Sequence, residues 1–300
     1  MKIFSHISFL FFSRIQLKFG LLPYFQHSIE FAKLYSSQIN YYNKIKSSFI
    51  IKNGIILSDA SKLKNNSARF YDFYNLLINF PTSFKFHYDL SDFHKLPNTP
   101  TLVKNRLIDV RNKNCVLLPL NRRRHFKMHI DNFCYDEKIS KIVWRGAAYK
   151  KWRKDFLAAT ASLDFCDVGC TGRFRSIYSK PWMSIKDHFK YKFIFSVEGN
   201  DIASNLRWIL SSNSLCFMQR PKYESWFMEG LLKPGVHYVE INKDFSNIKK
   251  LFEYYIKHPD KAKKIIANAN AHAKLFENPD LQFEIAKYVL FKYGKKSHQL

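Results

Sequence analysis

Two glycine-bearing stretches set arginines beside a sharp turn: Val143-Trp144-Arg145-Gly146-Ala147-Ala148 with Arg153 further on, and Val197-Glu198-Gly199-Asn200-Asp201 with Arg207 further on. Each ends an apolar run and leads into a helical pattern. A guanidinium at a strand's carboxyl end can clamp a pyrophosphate through two parallel hydrogen bonds, and small residues such as Ala147 and Ala148 let the backbone come close to the anion. In the second stretch Gly199-Asn200 supplies the turn and Asp201 stands where an N-cap belongs, so a helix is expected to start there. Its first N–H groups would face an anion. The bland alternatives are an Arg145 paired with Asp164 or Asp167 across a sheet and an Arg207 that sits in solvent. Any strand-turn-helix of an α/β domain offers something similar.

The elements that would hold these residues follow from pattern. "KIVWR", "LDFCDV", "FIFSV", "SLCFM" and "GVHYVEI" are short apolar runs, with helical stretches such as "YKKWRKDFLAATA" and Ser184–Phe189 between them. Strands alternating with helices predict a parallel sheet covered on both faces. In "DIASNLRWILS", Ile202, Leu206, Ile209 and Leu210 share one helical face and Ser204, Arg207, Trp208 and Ser211 the other, an amphipathic pattern. Before about residue 138 the reading is mixed helices and short strands, including "SFKFHYDL" and "CVLLPL" separated by Pro97-Asn98-Thr99-Pro100.

The chain has 300 residues, 46% hydrophobic and 17% aromatic, enough for one large or two ordinary domains rather than disorder. Its 49 Lys+Arg against 24 Asp+Glu give +25, so an anionic partner is expected: nucleic acid, an acidic membrane leaflet or a phosphorylated small molecule. The five cysteines, Cys115, Cys134, Cys166, Cys170 and Cys216, form no framework and read as reduced, buried thiols. Cys166 and Cys170 are too few for a closed zinc site, and no metal is expected. "MKIFSHISFLFFSRIQLKF" is interrupted by Arg14 and Lys18 and lacks a small-residue cleavage site. It reads as a helix packed on the domain or as a shallow membrane attachment through Phe11, Phe12, Arg14 and Lys18, and either reading predicts a cytoplasmic protein.

"WRG" before an arginine-bearing helix, "DVGC", "KYKFIFSVEGNDIASNLRWILSSNSLCF", "YESWFMEGLLKPGVHYVEI" and "DFSNIKKLFEYYIKHPDKAKKIIANANAHA" together resemble the CAP10-like glycosyltransferases, family 90, and within it the bacterial branch that builds lipopolysaccharide core. The likeness covers roughly residues 84 to 293. It implies an α/β fold of GT-B type, two Rossmann-like domains facing a cleft: an acceptor-side domain over 1–137 and a nucleotide-sugar domain over 138–276, with a helix over 277–297 crossing back to the first. By motif, Arg145, Gly146 and Ala147 would face the donor diphosphate with Arg153 behind them. Asp167 and Val168 would lie near the base, and Gly199, Asn200, Asp201, Ala203, Ser204 and Asn205 would wrap the diphosphate and ribose. The animal members resembled here place an arginine where this chain has Asn205, and here the arginine is Arg207.

The resemblance thus implies an inverting glycosyltransferase that moves a hexose or pentose from a nucleotide sugar, UDP-linked, to a sugar hydroxyl of lipopolysaccharide or lipooligosaccharide core, with no cofactor. Such a reaction needs a base for the acceptor hydroxyl and a sink for the departing diphosphate. No Asp-x-Asp occurs in the chain, so arginine and a helix N-terminus are expected to replace a metal. In "YDLSDFHKLP", Asp92 occupies the family's base position, with Asp89 and His94 as competitors. His87, His125 and His237 read as structural or surface histidines. Arg122, Arg123 and Arg124, with Lys127, form a basic acceptor-side segment suited to phosphorylated core sugar at the inner face of an anionic membrane. The competing classes are a nucleic-acid-binding protein, for which no module is present and which is not expected, a glycosyltransferase acting on another glycan or a protein, and a peripheral membrane protein without catalysis.

Overall fold

The computed structural model describes residues 29–60, 67–92, 96–120, 129–172 and 176–300. The first stretches carry helices α1 (Ile29–Leu34) and α2 (Ser36–Tyr42), strand β1 (Ile55–Ile56), and helices α3 (Leu57–Ala60) and α4 (Ala68–Leu77). Strands β2 (Lys85–Phe86), β3 (Tyr88–Asp89), β4 (Thr101–Val103), β5 (Asn105–Leu107) and β6 (Cys115–Leu117) follow. Then come β7 (Ile139–Gly146), α5 (Lys151–Thr160), β8 (Cys166–Cys170), α6 (Ile185–His188), β9 (Tyr191–Ser196), α7 (Leu206–Leu210) and β10 (Leu215–Met218). The chain ends with β11 (Tyr223–Ser225), β12 (Val239–Glu240), α8 (Ile248–Lys257), α9 (Pro259–Lys274) and α10 (Pro279–Lys296).

Two compact units divide this chain. The first holds the described residues up to 120 together with Tyr223–Trp226 and Asn278–Leu300; the second holds those from 129 to Lys222 and Phe227–Glu277. Residues 129–137 therefore belong with the second unit, ahead of the boundary at 137/138 expected from sequence. Tyr135 packs in that unit's core, and the buried Asp131 carboxylate takes Lys138 Nζ at 2.6 Å and Asn213 N at 2.8 Å. Helix α10 belongs with the first unit.

In the first unit β3, β4 and β6 form a parallel sheet, pairing Tyr88 with Leu102 and Leu102 with Val116. Phe73, Leu76 and Leu77 of α4 and Ile285, Val289 and Tyr293 of α10 are buried with it. Pro279 at the first turn and Asn278, whose side chain accepts from Asp280 N and Leu281 N, start α10. Strand β11 reaches this unit by pairing antiparallel with β5, and there Arg106 Nε meets Glu224 Oε1 at 2.6 Å with both side chains buried. Trp226 stacks on Tyr42, ring centroids 3.5 Å apart.

In the second unit the sheet is five-stranded and all parallel, in the order β12-β10-β9-β7-β8. Alternate residues Ile142 and Trp144, Phe193 and Phe195, Leu215 and Phe217 point to one face and pack in one core with Phe156 of α5, Tyr255 of α8 and Ile265 of α9. The predicted α/β class with parallel strands is observed. "GVHYVEI" yields only the two residues of β12, and the strand in "LDFCDV" runs on through Gly169 to Cys170. All five cysteines are free; four are buried, but Cys134 is exposed, against expectation. Burial raises the Cys115 thiol to about 11.

Candidate functional site

The carboxyl ends of β7 and β9 carry the two glycine-bearing stretches singled out by sequence, and their loops are tied together by hydrogen bonds. Arg153, in the first turn of α5, spends its guanidinium on main-chain oxygens: Nη1 donates to Ala147 at 2.9 Å, Nη2 to Val197 at 2.7 Å and Nε to Glu198 at 2.9 Å. It also lies over the Trp144 ring, 5.6 Å from the centroid. Burial lowers its pKa, and no carboxylate pairs with it among the described residues. Three carbonyl dipoles satisfy its donors without cancelling its charge, so a net positive charge is fixed beneath the loops. Arg153 is thus a brace rather than a side chain free to reach a phosphate.

The loop after β9 is pinned from both sides. Trp152 Nε1 donates to the Glu198 carbonyl at 3.0 Å, and the Glu198 carboxylate accepts from Lys222 N at 2.9 Å in the loop after β10. Tyr149 Oη donates to Asn200 Oδ1 at 3.1 Å. Gly146 is required by close packing: a Cβ there would stand 2.6 Å from Trp144 Cζ2. Helix α5 begins at this level, and its N-cap, Lys150, makes no side-chain capping bond. Arg153 N already bonds Lys150 O at 3.1 Å, so the first-turn N–H groups that could face an anion are those of Lys151 and Trp152.

The second glycine-bearing stretch differs from the sequence reading. The helix does not start at Asp201; α7 begins at Leu206 and is five residues long. Asp201 and Ala203 are buried and Ser204 is exposed, in a loop that precedes the helix. Asn205 is occupied with the end of β9, donating from Nδ2 to Phe195 O at 3.1 Å and accepting from Ser196 Oγ at 3.1 Å. Both bonds are made by the residue just ahead of α7. The helix start expected near Asn200 is therefore absent, and the helix that begins at the carboxyl end of β7 is α5. Arg207 is not a solvent side chain: its guanidinium lies 5.0 Å from the Phe227 centroid and 5.7 Å from that of Phe276. Beside it, burial above all lowers His272 to about 4, with further lowering by His237 and Arg207.

Arg145 takes the structural alternative weighed from sequence. It points away from the Trp144 face, with Nη2 2.8 Å from Asp167 Oδ1 and Nη1 2.7 Å from Asp167 O. Its Nε is buried and has no hydrogen-bond partner among the described residues. Burial opposes ionisation of Asp167, and the bonds from Lys180, Tyr191 and Arg145 outweigh it, holding the carboxyl at about 2. Val168 is a core side chain, so only its backbone could meet a ligand. Trp152, Glu198, Lys222, Lys180 and Tyr191 escaped the sequence reading. Glu198 alone carried a local signal, as the acidic residue that ends an apolar run before glycine.

In the first unit the Asp92 carboxylate lies 2.6 Å from Lys104 Nζ and 3.3 Å from Arg69 Nη1. Asp89 is a turn residue, its Oδ1 accepting from Ser91 N at 2.9 Å and Ser91 Oγ at 2.5 Å. His237 Nδ1 accepts from Lys233 N at 2.9 Å, a structural role as expected. Arg122, Arg123, Arg124, His125 and Lys127, the competitor His94, and Phe11, Phe12, Arg14 and Lys18 lie outside the described residues. Among the described residues no group of three His, Cys, Asp or Glu comes together at metal-binding distance, and no helix is long and apolar enough to cross a membrane.

Comparison with known proteins gives the family. The model of glycosyl transferase family 90 matches residues 120–297, more than half of the chain. The chain is 36% identical over 259 residues to O-glucosyltransferase LpsA of Dichelobacter nodosus, covering 86% of this chain and 81% of that protein. It is 30% identical over 169 residues to Protein O-glucosyltransferase 2 of Danio rerio (54% and 34%) and 28% identical over 167 residues to Protein O-glucosyltransferase 3 of Homo sapiens (53% and 32%). The matches thus span about a third of those animal proteins.

Proposed function

The chain belongs to glycosyl transferase family 90 and is a glycosyltransferase; from that premise we propose that it moves a sugar, with inversion and without a metal, from a UDP-sugar to a hydroxyl of lipopolysaccharide or lipooligosaccharide core. The names of its relatives favour glucose among the hexoses and pentoses. The acceptor class rests on the likeness of the sequence blocks to the bacterial branch and on the +25 charge, which suits a phosphorylated glycan at an anionic membrane. A cytoplasmic protein held peripherally at the inner face of the inner membrane fits that acceptor. A GT-B reading of the two units is supported by the parallel sheet in each.

The observation that carries the reading is the Arg153 brace beneath the uncapped start of α5. A diphosphate seated at the first-turn N–H groups of α5, between the loops of Gly146-Ala147 and Gly199-Asn200, would meet oriented dipoles and the fixed charge of Arg153. Those groups would stabilise the charge that grows on the leaving diphosphate as the glycosidic bond breaks. Asp92 would take the proton of the attacking acceptor hydroxyl.

The test is direct. Purified protein is screened with nucleotide sugars for thermal stabilisation, which a ligand selective for the native state must produce. The stabilising donor is then incubated with deacylated core oligosaccharide, with and without EDTA, and the product anomer is read by NMR. An inverted glucosyl linkage formed in EDTA is the expected result. Activity that vanishes in EDTA and returns with manganese would overturn the metal-free mechanism, and retention of configuration would overturn single displacement.

A further inference from the structure

We infer that the outer face of α8 and α9 is a docking surface for an anionic lipid bilayer. Helix α8 turns Ile248, Leu251, Phe252 and Tyr255 into the core of the second unit, which leaves Lys249, Lys250 and Lys257 exposed on the other side. His258 joins α8 to α9, where Lys261 and Lys264 are exposed in turn. None of these five lysines is in an ion pair among the described residues, whereas the neighbouring Lys263 is held by Asp136 at 2.7 Å. Glu253 and Asp260 offset only part of the charge. Like charges gathered on one face repel, and an anionic surface opposite them turns that repulsion into binding.

Apolar groups stand among the lysines. Tyr254 is 44% exposed and Ile256 37% exposed, and Lys250, Tyr254, Lys257 and His258 border an open groove of about 450 Å³. A tyrosine and an isoleucine flanked by lysines suit the headgroup boundary of a bilayer, where the apolar part enters and the ammonium groups stay at the phosphates. Isoleucine offers nothing to a nucleic-acid backbone, so lipid is the favoured anion. This surface belongs to the unit that carries the donor-side loops. It deepens the reading of a membrane-borne acceptor and rests on it.

The full chain is floated with vesicles of phosphatidylglycerol and phosphatidylcholine, and with phosphatidylcholine alone, in about 0.1 M salt. Binding to the anionic vesicles only is expected. Lys249→Gln/Lys250→Gln and Lys257→Gln/Lys261→Gln should each weaken it by at least ~10-fold, and the four together by roughly 100-fold or more, since each lysine near such a surface contributes about a fivefold factor. Tyr254→Ser/Ile256→Ser should weaken binding at high salt as well. A cooperative thermal unfolding transition close to that of the wild type confirms that each variant is folded, and the two pairwise variants serve should the fourfold one not be. No binding by the wild type, equal binding by the variants, or tighter binding to an oligonucleotide than to the vesicles would each overturn the proposal. The vesicles carry no saccharide, so failure of the acceptor assignment would show in the transfer assay and leave this result unchanged.

Discussion

Arg153 Nη2 donates to the main-chain oxygen of Val197 at 2.7 Å, which joins the first turn of α5 to the end of β9. With the bonds to Ala147 and Glu198, one side chain fixes the spacing of the two loops that sequence had marked as phosphate-binding. A lysine has the charge but not the planar fork, and cannot reach three carbonyls in different directions.

Arg153→Lys is therefore expected to destabilise the fold by about 1–3 kcal/mol, the cost of leaving partly buried acceptors unsatisfied. It should also raise the KM for the nucleotide sugar more than it lowers kcat, because the loops lose their spacing while the charge stays. Urea unfolding and steady-state kinetics check both. Unchanged stability with a lowered kcat would mean that Arg153 meets the substrate directly.

Asp167 holds Arg145, Lys180 and Tyr191 at one point. Asp167→Asn should leave the enclosed Arg145 without its counter-charge and cost about 1–2 kcal/mol, less than for a fully buried pair because the Asp167 carboxylate is partly exposed. The folded carboxyl lies at about 2, below its ordinary 3.8. Its stabilisation is thus full above the unfolded value and is lost as pH falls through 3.8 toward 2. The wild type should lose more stability than Asp167→Asn over that interval in acid unfolding. Identical acid profiles would show that the pair contributes nothing.

His272 gives a pH effect at milder acidity. Burial holds its folded pKa near 4, against an ordinary 6.5, and Nε2 lies 2.8 Å from Phe227 O. Between those values the unfolded chain binds a proton that the folded chain refuses, so stability should fall as pH drops from 6.5 to 4. His272→Gln can keep a donor to the carbonyl without titrating, and its stability should be flatter over this range in urea unfolding. A slope as steep as that of the wild type would place the effect in other groups.

Parts of this architecture were readable from residue order because their causes are local. The apolar runs of β7, β9 and β10 and the helical pattern of α5 are set by neighbours a few residues apart, and they were placed nearly as found. The start of α7 was misplaced because the capping logic at Asp201 is local, while its defeat is tertiary: Asn205 bonds to Phe195 and Ser196, and Asp201 is buried instead of capping. The passage of Tyr223–Trp226 into the first unit was illegible for a related reason. It depends on Arg106 meeting Glu224, and neither residue's neighbours announce the other. Arg145 could be read either way from sequence, and the deciding partner, Asp167, stands one strand over.

The assignment of Asp92 as base needs a test that separates chemistry from folding. Its carboxylate lies between Lys104 at 2.6 Å and Arg69 at 3.3 Å, so Asp92→Asn removes a counter-charge as well as a base. The variant should therefore be somewhat less stable than the wild type, by about 1 kcal/mol for a partly exposed pair. That loss is not the catalytic effect. Asp92→Asn/Lys104→Met should recover part of the stability, since the nearer of the two cations is gone, yet remain inactive. In both variants the chemical step should fall by roughly two to four orders of magnitude, the contribution of a positioned acid or base. UDP affinity should hold, because Asp92 belongs to the first unit and the donor-side loops to the second. Asp89→Asn should stay active, because an amide oxygen can still accept from Ser91 N and Ser91 Oγ. Loss of turnover in the Asp89 variant with activity kept in the Asp92 variant would move the base to Asp89. Activity kept in both would direct the search to His94. Recovered turnover in the double variant would show that Asp92 only neutralises Lys104.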